Sequence, residues 1–182
     1  MKIWKTFLNI VFFIAVINGY SQQATSVKWS DVQAALELNQ KIPRKIFIDV
    51  YTHWCGWCKK MDENTFSNPV IADYLANKFH AVKFNAEGTD DIIYKGYIYK
   101  NKGQGQRSPH EFAIAILQGR LSYPSIVFMD EKNNLITYIA GYLTPEQLEP
   151  ILAYIESDAY RTMKWDDFRM HFVSKLSKVG KP

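Results

Sequence analysis

The chain's only two cysteines, Cys55 and Cys58, stand two residues apart, with Gly56 and Trp57 between them. At that spacing the sulfurs reach bonding distance, so the pair can open and close a disulfide. A structural staple normally closes a far longer loop, because a loop this short removes little entropy from the unfolded chain. Zinc is the other chemistry of a Cys-x-x-Cys, but a closed site takes about four ligands. The remaining candidates, His53, His80, His110 and His171, are scattered without ligand spacing. The pair therefore reads as a redox couple that needs no metal and no prosthetic group.

Such a couple works through a thiolate, and a free cysteine with a pKa of about 8.5 is mostly protonated at neutral pH. Some element has to favour the anion. Gly56 to about Asn64 is compatible with a helix, which sets Cys55 at a helix N-terminus, where free amides and the positive dipole end stabilise a thiolate. Cys55 is then the attacking residue. Cys58, one turn later, is the more buried partner that resolves the mixed disulfide.

The elements around the pair follow from pattern. Lys45–Tyr51 is rich in Ile, Val and aromatics and reads as a buried central strand ending just before the motif. Asp49 lies within it, where an unpaired carboxylate is costly; the alternative is an edge or turn carboxylate. Ser30-Asp31-Val32-Gln33 and Ser108-Pro109-His110-Glu111 match capping boxes, the second opening a helix that stops near Gly119. Asn68-Pro69 starts a helix to about Lys78, and His80–Ala86 is a second strand, parallel to the first because of the long crossover. Residues 87–107, with four glycines and a polar stretch from Lys100 to Gln106, read as an insertion with a mobile tip. Ser125–Met129 and Leu135–Ala140 form a hairpin with a charged turn, and Thr144-Pro145-Glu146-Gln147 opens a further helix with Leu148, Ile151, Leu152 and Ile155 inward. In the tail from about Asp158, Trp165, Phe168, Phe172 and Leu176 recur at helical spacing, which suits packing back on the domain.

Taken together, the order of elements, Ile48–Lys59, Tyr123-Pro124-Ser125 and Gly141 resemble the thioredoxin superfamily over about Lys45–Ile155. Within it the chain looks most similar to exported proteins with a Trp-Cys-x-x-Cys-Lys core and to the periplasmic C-terminal domain of the disulfide-reducing membrane conductor. The resemblance implies an α/β thioredoxin-like fold, a central mixed sheet flanked by helices, with the insertion before the helix that precedes a cis-proline. It implies that Asp49 assists proton transfer at the resolving cysteine and that Lys83 accompanies it; a solvated strand lysine is the alternative for Lys83. It implies that Pro124 is cis and, with Tyr123, forms a shelf for an extended substrate; the alternative is a plain loop proline. Trp54, Gly56 and Trp57 are expected at the substrate-binding surface, Trp54 otherwise serving as core packing. Trp57 departs from the proline of thioredoxin itself, which leaves the direction of electron flow open. His53 either tunes Cys55 or sits on the surface.

The composition sets the remaining bounds. With 47% hydrophobic and 22% charged residues, the chain suits one globular domain and a short appendage. Its formal charge is +4, but without Lys2 and Lys5 the balance is about +2 and dispersed, which argues against nucleic acid. Those two lysines precede an apolar run, Phe7–Ile17, and then Asn18-Gly19-Tyr20-Ser21. That is a signal-peptide layout over residues 1–21, the apolar run being shorter than the roughly 20 residues of a membrane span; an uncleaved anchor or a buried helix is the alternative. The expected organisation is a thioredoxin-like domain over 22–157 and a helical tail over 158–182, periplasmic or secreted, with no stable membrane insertion after cleavage. The expected function is a thiol-disulfide oxidoreductase acting on protein disulfides, with electrons from a membrane or small-thiol donor. The competing function is a protein-binding module on the same scaffold, without turnover.

Overall fold

A computed structural model describes residues 26–103, 105 and 107–176; the expected signal peptide over 1–21 lies outside the described residues. The elements run α1 (Val32–Lys41), β1 (Ile46–Tyr51), α2 (Gly56–Met61), a π-helical continuation (Asp62–Phe66), α3 (Pro69–Lys78), β2 (His80–Asn85), β3 (Ile92–Tyr94), β4 (Tyr97–Tyr99) and α4 (Glu111–Ile116). They end with β5 (Ser125–Met129), β6 (Leu135–Ala140), α5 (Pro145–Glu156), a 3-10 turn (Ala159–Arg161) and α6 (Trp165–His171).

Four strands form a mixed sheet in the order β2-β1-β5-β6. The helical crossover through α2 and α3 brings β2 parallel to β1, whereas β5 runs antiparallel to both β1 and β6. Apolar residues cover both faces. Ile46, Ile48 and Val50 point to one side, where Val32 and Leu36 of α1 and Phe112 and Ile116 of α4 pack. Phe47 points to the other, against Met61, Ile71, Leu75, Leu148 and Leu152 from α2, α3 and α5. The two-residue pleat puts Asp49 on the same face as Phe47, the face that α2 covers.

The helix starts were only partly foreseen. Asn68 Oδ1 accepts from the amides of Val70 and Ile71, with Pro69 as the first helical residue, as expected. Neither predicted serine cap forms. Asp31 caps α1 by accepting from the Ala34 amide, while Ser30 bridges to Val82 at the edge of β2 and donates its hydroxyl to the Ala81 carbonyl. Pairing with the sheet edge satisfies Ser30 more fully than a local cap. At α4 the cap is the His110 imidazole, which accepts from the Phe112 amide, so Pro109 precedes the helix. That helix ends at Ile116, and Gly119 (φ +78°) closes the turn beyond it.

Residues 87–107 contain a second sheet, the β3-β4 hairpin, turned through Lys95 (φ 51°) and Gly96 (φ 79°). Two consecutive positive φ values are what a two-residue primed turn requires. Tyr94 and Tyr99 pack on Phe112, ring centroids 5.4 and 5.5 Å away, so the hairpin lies on α4. At the other end of the chain, Trp165 and Phe168 pack against Tyr154 of α5, and the amide of Lys175 donates to the fully buried Glu149 at 2.6 Å. No described helix is long and apolar enough to cross a membrane.

Candidate active site

The sheet delivers the motif by ending β1 at Tyr51, four residues before Cys55. Cys55 is the cap residue of α2, its sulfur accepting from the Cys58 amide at 3.1 Å. The two cysteines are joined, S–S 2.02 Å, so this is the oxidised form. Both are buried, 4% and 3% exposed, so the expected contrast in burial between them is absent in this form. The solvent-facing surface belongs instead to the tryptophans on either side, Trp54 at 50% and Trp57 at 58% exposure, while Gly56 and His53 also lie exposed. Trp54 is therefore not core packing.

Opposite the motif, the Tyr123-Pro124 peptide is cis. Its loop is fixed by the Ser125 hydroxyl donating to the Ser122 carbonyl at 2.7 Å and by the Gly141 amide donating to the Pro124 carbonyl at 2.8 Å. The Tyr123 ring meets Trp54 edge-on at 6.1 Å, which brings the proline loop beside the disulfide. Burial, with the nearby Glu87 carboxylate, holds the Tyr123 phenol above its usual range, so it stays neutral.

Beneath α2, Asp49 and Lys83 are register partners in β1 and β2, and Lys83 Nζ donates to Asp49 Oδ2 at 2.6 Å. Lys83 is thus not a solvated strand lysine. Its ammonium also pairs with Asp62 at the end of α2 and lies over the rings of Trp29 (4.9 Å), Tyr51 (5.4 Å) and Phe66 (5.1 Å). Asp49 is 1% exposed, and its Oδ1 has no hydrogen-bond partner among the described residues. Burial raises the Asp49 pKa to about 6, against the opposing pull of Lys83. Burial also works against the Lys83 cation, but Asp49 and Asp62 outweigh it and hold its pKa above the ordinary lysine value.

Several contacts at the site were not anticipated. The Trp54 indole N–H donates to Glu87 Oε1 at 2.9 Å, and the Arg107 guanidinium lies 4.8 Å from the ring centroid. These two residues are the ends of the insertion, so the insertion borders the disulfide. On the other side, Trp57 packs on Tyr142 (5.5 Å), with Lys60 Nζ 4.9 Å above its ring. Asp62 had a local signal, one helical turn beyond Cys58; Arg107 had none, because its contact spans 53 positions of chain. No group of His, Cys, Asp or Glu among the described residues could hold a metal.

A profile of the thioredoxin-like domain matches residues 32–156. The thiol:disulfide interchange protein DsbD of Haemophilus ducreyi is 25% identical over 122 residues, 64% of this chain and 18% of that protein. DsbD of Actinobacillus pleuropneumoniae is 23% identical over 145 residues, 76% of this chain and 22% of its own length. The chain thus spans about a fifth of the curated relatives it matches. Among solved structures, a thioredoxin from Thermus thermophilus superposes with a TM-score of 0.53 at 16% identity, covering 71% of this chain and 87% of that one.

Proposed function

Because the chain belongs to the thioredoxin-like domain family, we propose that it is a thiol-disulfide oxidoreductase that reduces or isomerises protein disulfides in the cell envelope. The observation that carries this reading is the closed Cys55–Cys58 pair at the start of α2, beside cis-Pro124. The relatives' name, thiol:disulfide interchange protein, supports the chemistry, and the basic-apolar N-terminus supports a periplasmic or secreted location.

In the reduced form the Cys55 thiolate attacks one sulfur of a client disulfide. A mixed disulfide forms, and the other client sulfur leaves as a thiolate that takes up a proton. Cys58 then loses its proton to Asp49 and attacks the Cys55 sulfur, closing the pair and expelling the second client sulfur as a thiolate. That thiolate takes up a proton as Asp49 gives its own back to solvent. Two electrons have moved to the client, and a membrane dithiol reductant or two equivalents of a small thiol must replace them. Lys83 holds Asp49 in place; Trp54, Gly56, Trp57, Tyr123 and Pro124 form the surface on which an extended client segment lies.

The test is the reduction potential of the Cys55/Cys58 couple, measured by equilibration against glutathione buffers. A value near about −270 mV makes it a reductant and one near about −120 mV an oxidant. Failure of the sulfurs to pair reversibly refutes the reading. A binding module without turnover is the second reading, favoured by the exposed Ile93, Tyr97 and Ile98 of the hairpin. It requires that the Cys55→Ala/Cys58→Ala variant keep the wild-type partners while the wild type turns over no disulfide.

A further inference from the structure

Trp54 and Trp57 bracket Cys55 in the chain, both at least half exposed, and each carries a cation on its ring: Arg107 on Trp54 and Lys60 on Trp57. The two cations come from different elements, Arg107 from the end of the insertion and Lys60 from α2. Both are exposed, and neither pairs with a carboxylate among the described residues, in contrast to Lys83 and Lys102. A cation seated on an indole face is held in position while its remaining N–H donors stay free. The Glu87 carboxylate lies beside Trp54, its Oε1 engaged by the Trp54 N–H.

Building on the oxidoreductase reading, we infer that Arg107 and Lys60 are specificity-determining residues that select polypeptide clients with acidic side chains flanking the reacting cysteine. A client strand that brings its disulfide to Cys55 lies across the two tryptophans, so side chains flanking the client cysteine come within reach of the two cations. A carboxylate there gains charge-assisted hydrogen bonds from the guanidinium or the ammonium, whereas a lysine meets like charge. The indoles contribute apolar contact to any client, and the cations supply the discrimination.

The experiment compares kcat/KM for three disulfide-linked peptides that differ only in the residues flanking cysteine: Asp, Asn or Lys. A small neutral aryl disulfide serves as the reference substrate. The expected order is Asp over Asn over Lys, with an Asp-to-Asn ratio of about three to five at low ionic strength that shrinks toward one in high salt. Arg107→Gln and Lys60→Gln each lower that ratio, Arg107→Lys and Lys60→Arg retain most of it, and Lys132→Gln, remote in the β5-β6 turn, leaves it unchanged. A ratio of one in the wild type, or a ratio that neither glutamine variant moves, overturns the inference while leaving the oxidoreductase reading intact. Absence of turnover on every substrate, the aryl disulfide included, overturns the oxidoreductase reading and this inference with it.

Discussion

Lys83 Nζ lies 2.6 Å from Asp49 Oδ2, while Asp49 Oδ1, equally buried, has no hydrogen-bond partner among the described residues. One cation therefore serves only half of a carboxylate that has lost its water. This imbalance is why burial prevails and the pKa rises from 3.8 to about 6.

A carboxyl group whose pKa is higher folded than unfolded contributes stability that is complete below the unfolded value and is lost as pH rises through the folded one. For Asp49 the window runs from 3.8 to about 6, and the loss amounts to about 3 kcal/mol. Asp49→Asn is accordingly expected to be more stable than the wild type at pH 7 by up to that amount, with the advantage gone below pH ~4. Urea midpoints at the two pH values test this. If Asp49 takes the Cys58 proton, the same variant resolves a mixed disulfide at least about tenfold more slowly. Stability and activity then move in opposite directions, which a purely structural aspartate would not produce.

His110 titrates with the opposite consequence. It is fully buried, accepts from the Phe112 amide through Nδ1, and contacts the Asp90 carbonyl through Nε2 at 3.0 Å, so the neutral Nε2–H tautomer satisfies both partners. Burial lowers its pKa, outweighing the Asp90 carbonyl and the carboxylates of Glu111, Asp91 and Asp90. The unfolded chain thus takes up a proton below the ordinary value of 6.5 while the folded chain resists, and stability falls as pH drops from 6.5 toward the lowered pKa. His110→Ala removes the cap and costs about 1–2 kcal/mol at pH 7. Faster hydrogen exchange at Phe112 in the variant is the expected signature, and unchanged protection there counts against the cap.

What could be read beforehand divides along the range of the interactions. Asn68-Pro69 and the spacing of Cys55 and Cys58 act within a few residues, so composition and offset were enough. Ser30 was misread because its competitor is distant, the edge of β2. Ser108 was misread although its competitor is local, because only burial in the fold makes the His110 imidazole, two residues on, the better cap. The β3-β4 hairpin escaped because each strand is three residues long, too short for alternation to register, although Lys95-Gly96 between Ile-Ile-Tyr and Tyr-Ile-Tyr was a usable turn signal. Glu87 and Arg107 reach Trp54 only through the folded insertion, and no local pattern marks either of them.

The turn of that hairpin is a point where substitution should act through backbone alone. Gly96 has φ +79°, and a Cβ built there meets nothing within 4 Å, so a larger side chain has room but pays in conformation. Gly96→Val is expected to cost about 1–2 kcal/mol. Gly96→Asn, which tolerates the left-handed region, should cost less than half of that. Thermal denaturation of both variants distinguishes strain from crowding: equal losses would mean that side-chain volume matters after all.

Glu149 holds the chain's far end in place. It is fully buried on α5, and it accepts from the Ser174 hydroxyl and from the Lys175 amide, the latter at 2.6 Å. Next to it, the partly buried Leu176 packs against the core and Lys175 Nζ sits 4.4 Å above the Tyr74 ring, so one carboxylate fixes a segment that spans α3 and α5. Replacing it by alanine strips two donors of a charged acceptor and leaves a cavity, at a cost of about 2–4 kcal/mol. Glutamine keeps the shape and one acceptor oxygen, and should lose about half as much. The tail should be the first part to loosen, so limited proteolysis of Glu149→Ala is expected to cut beyond His171 while the rest of the chain stays protected. Cleavage spread evenly through the domain would instead mean that Glu149 stabilises the whole core, with the tail following passively.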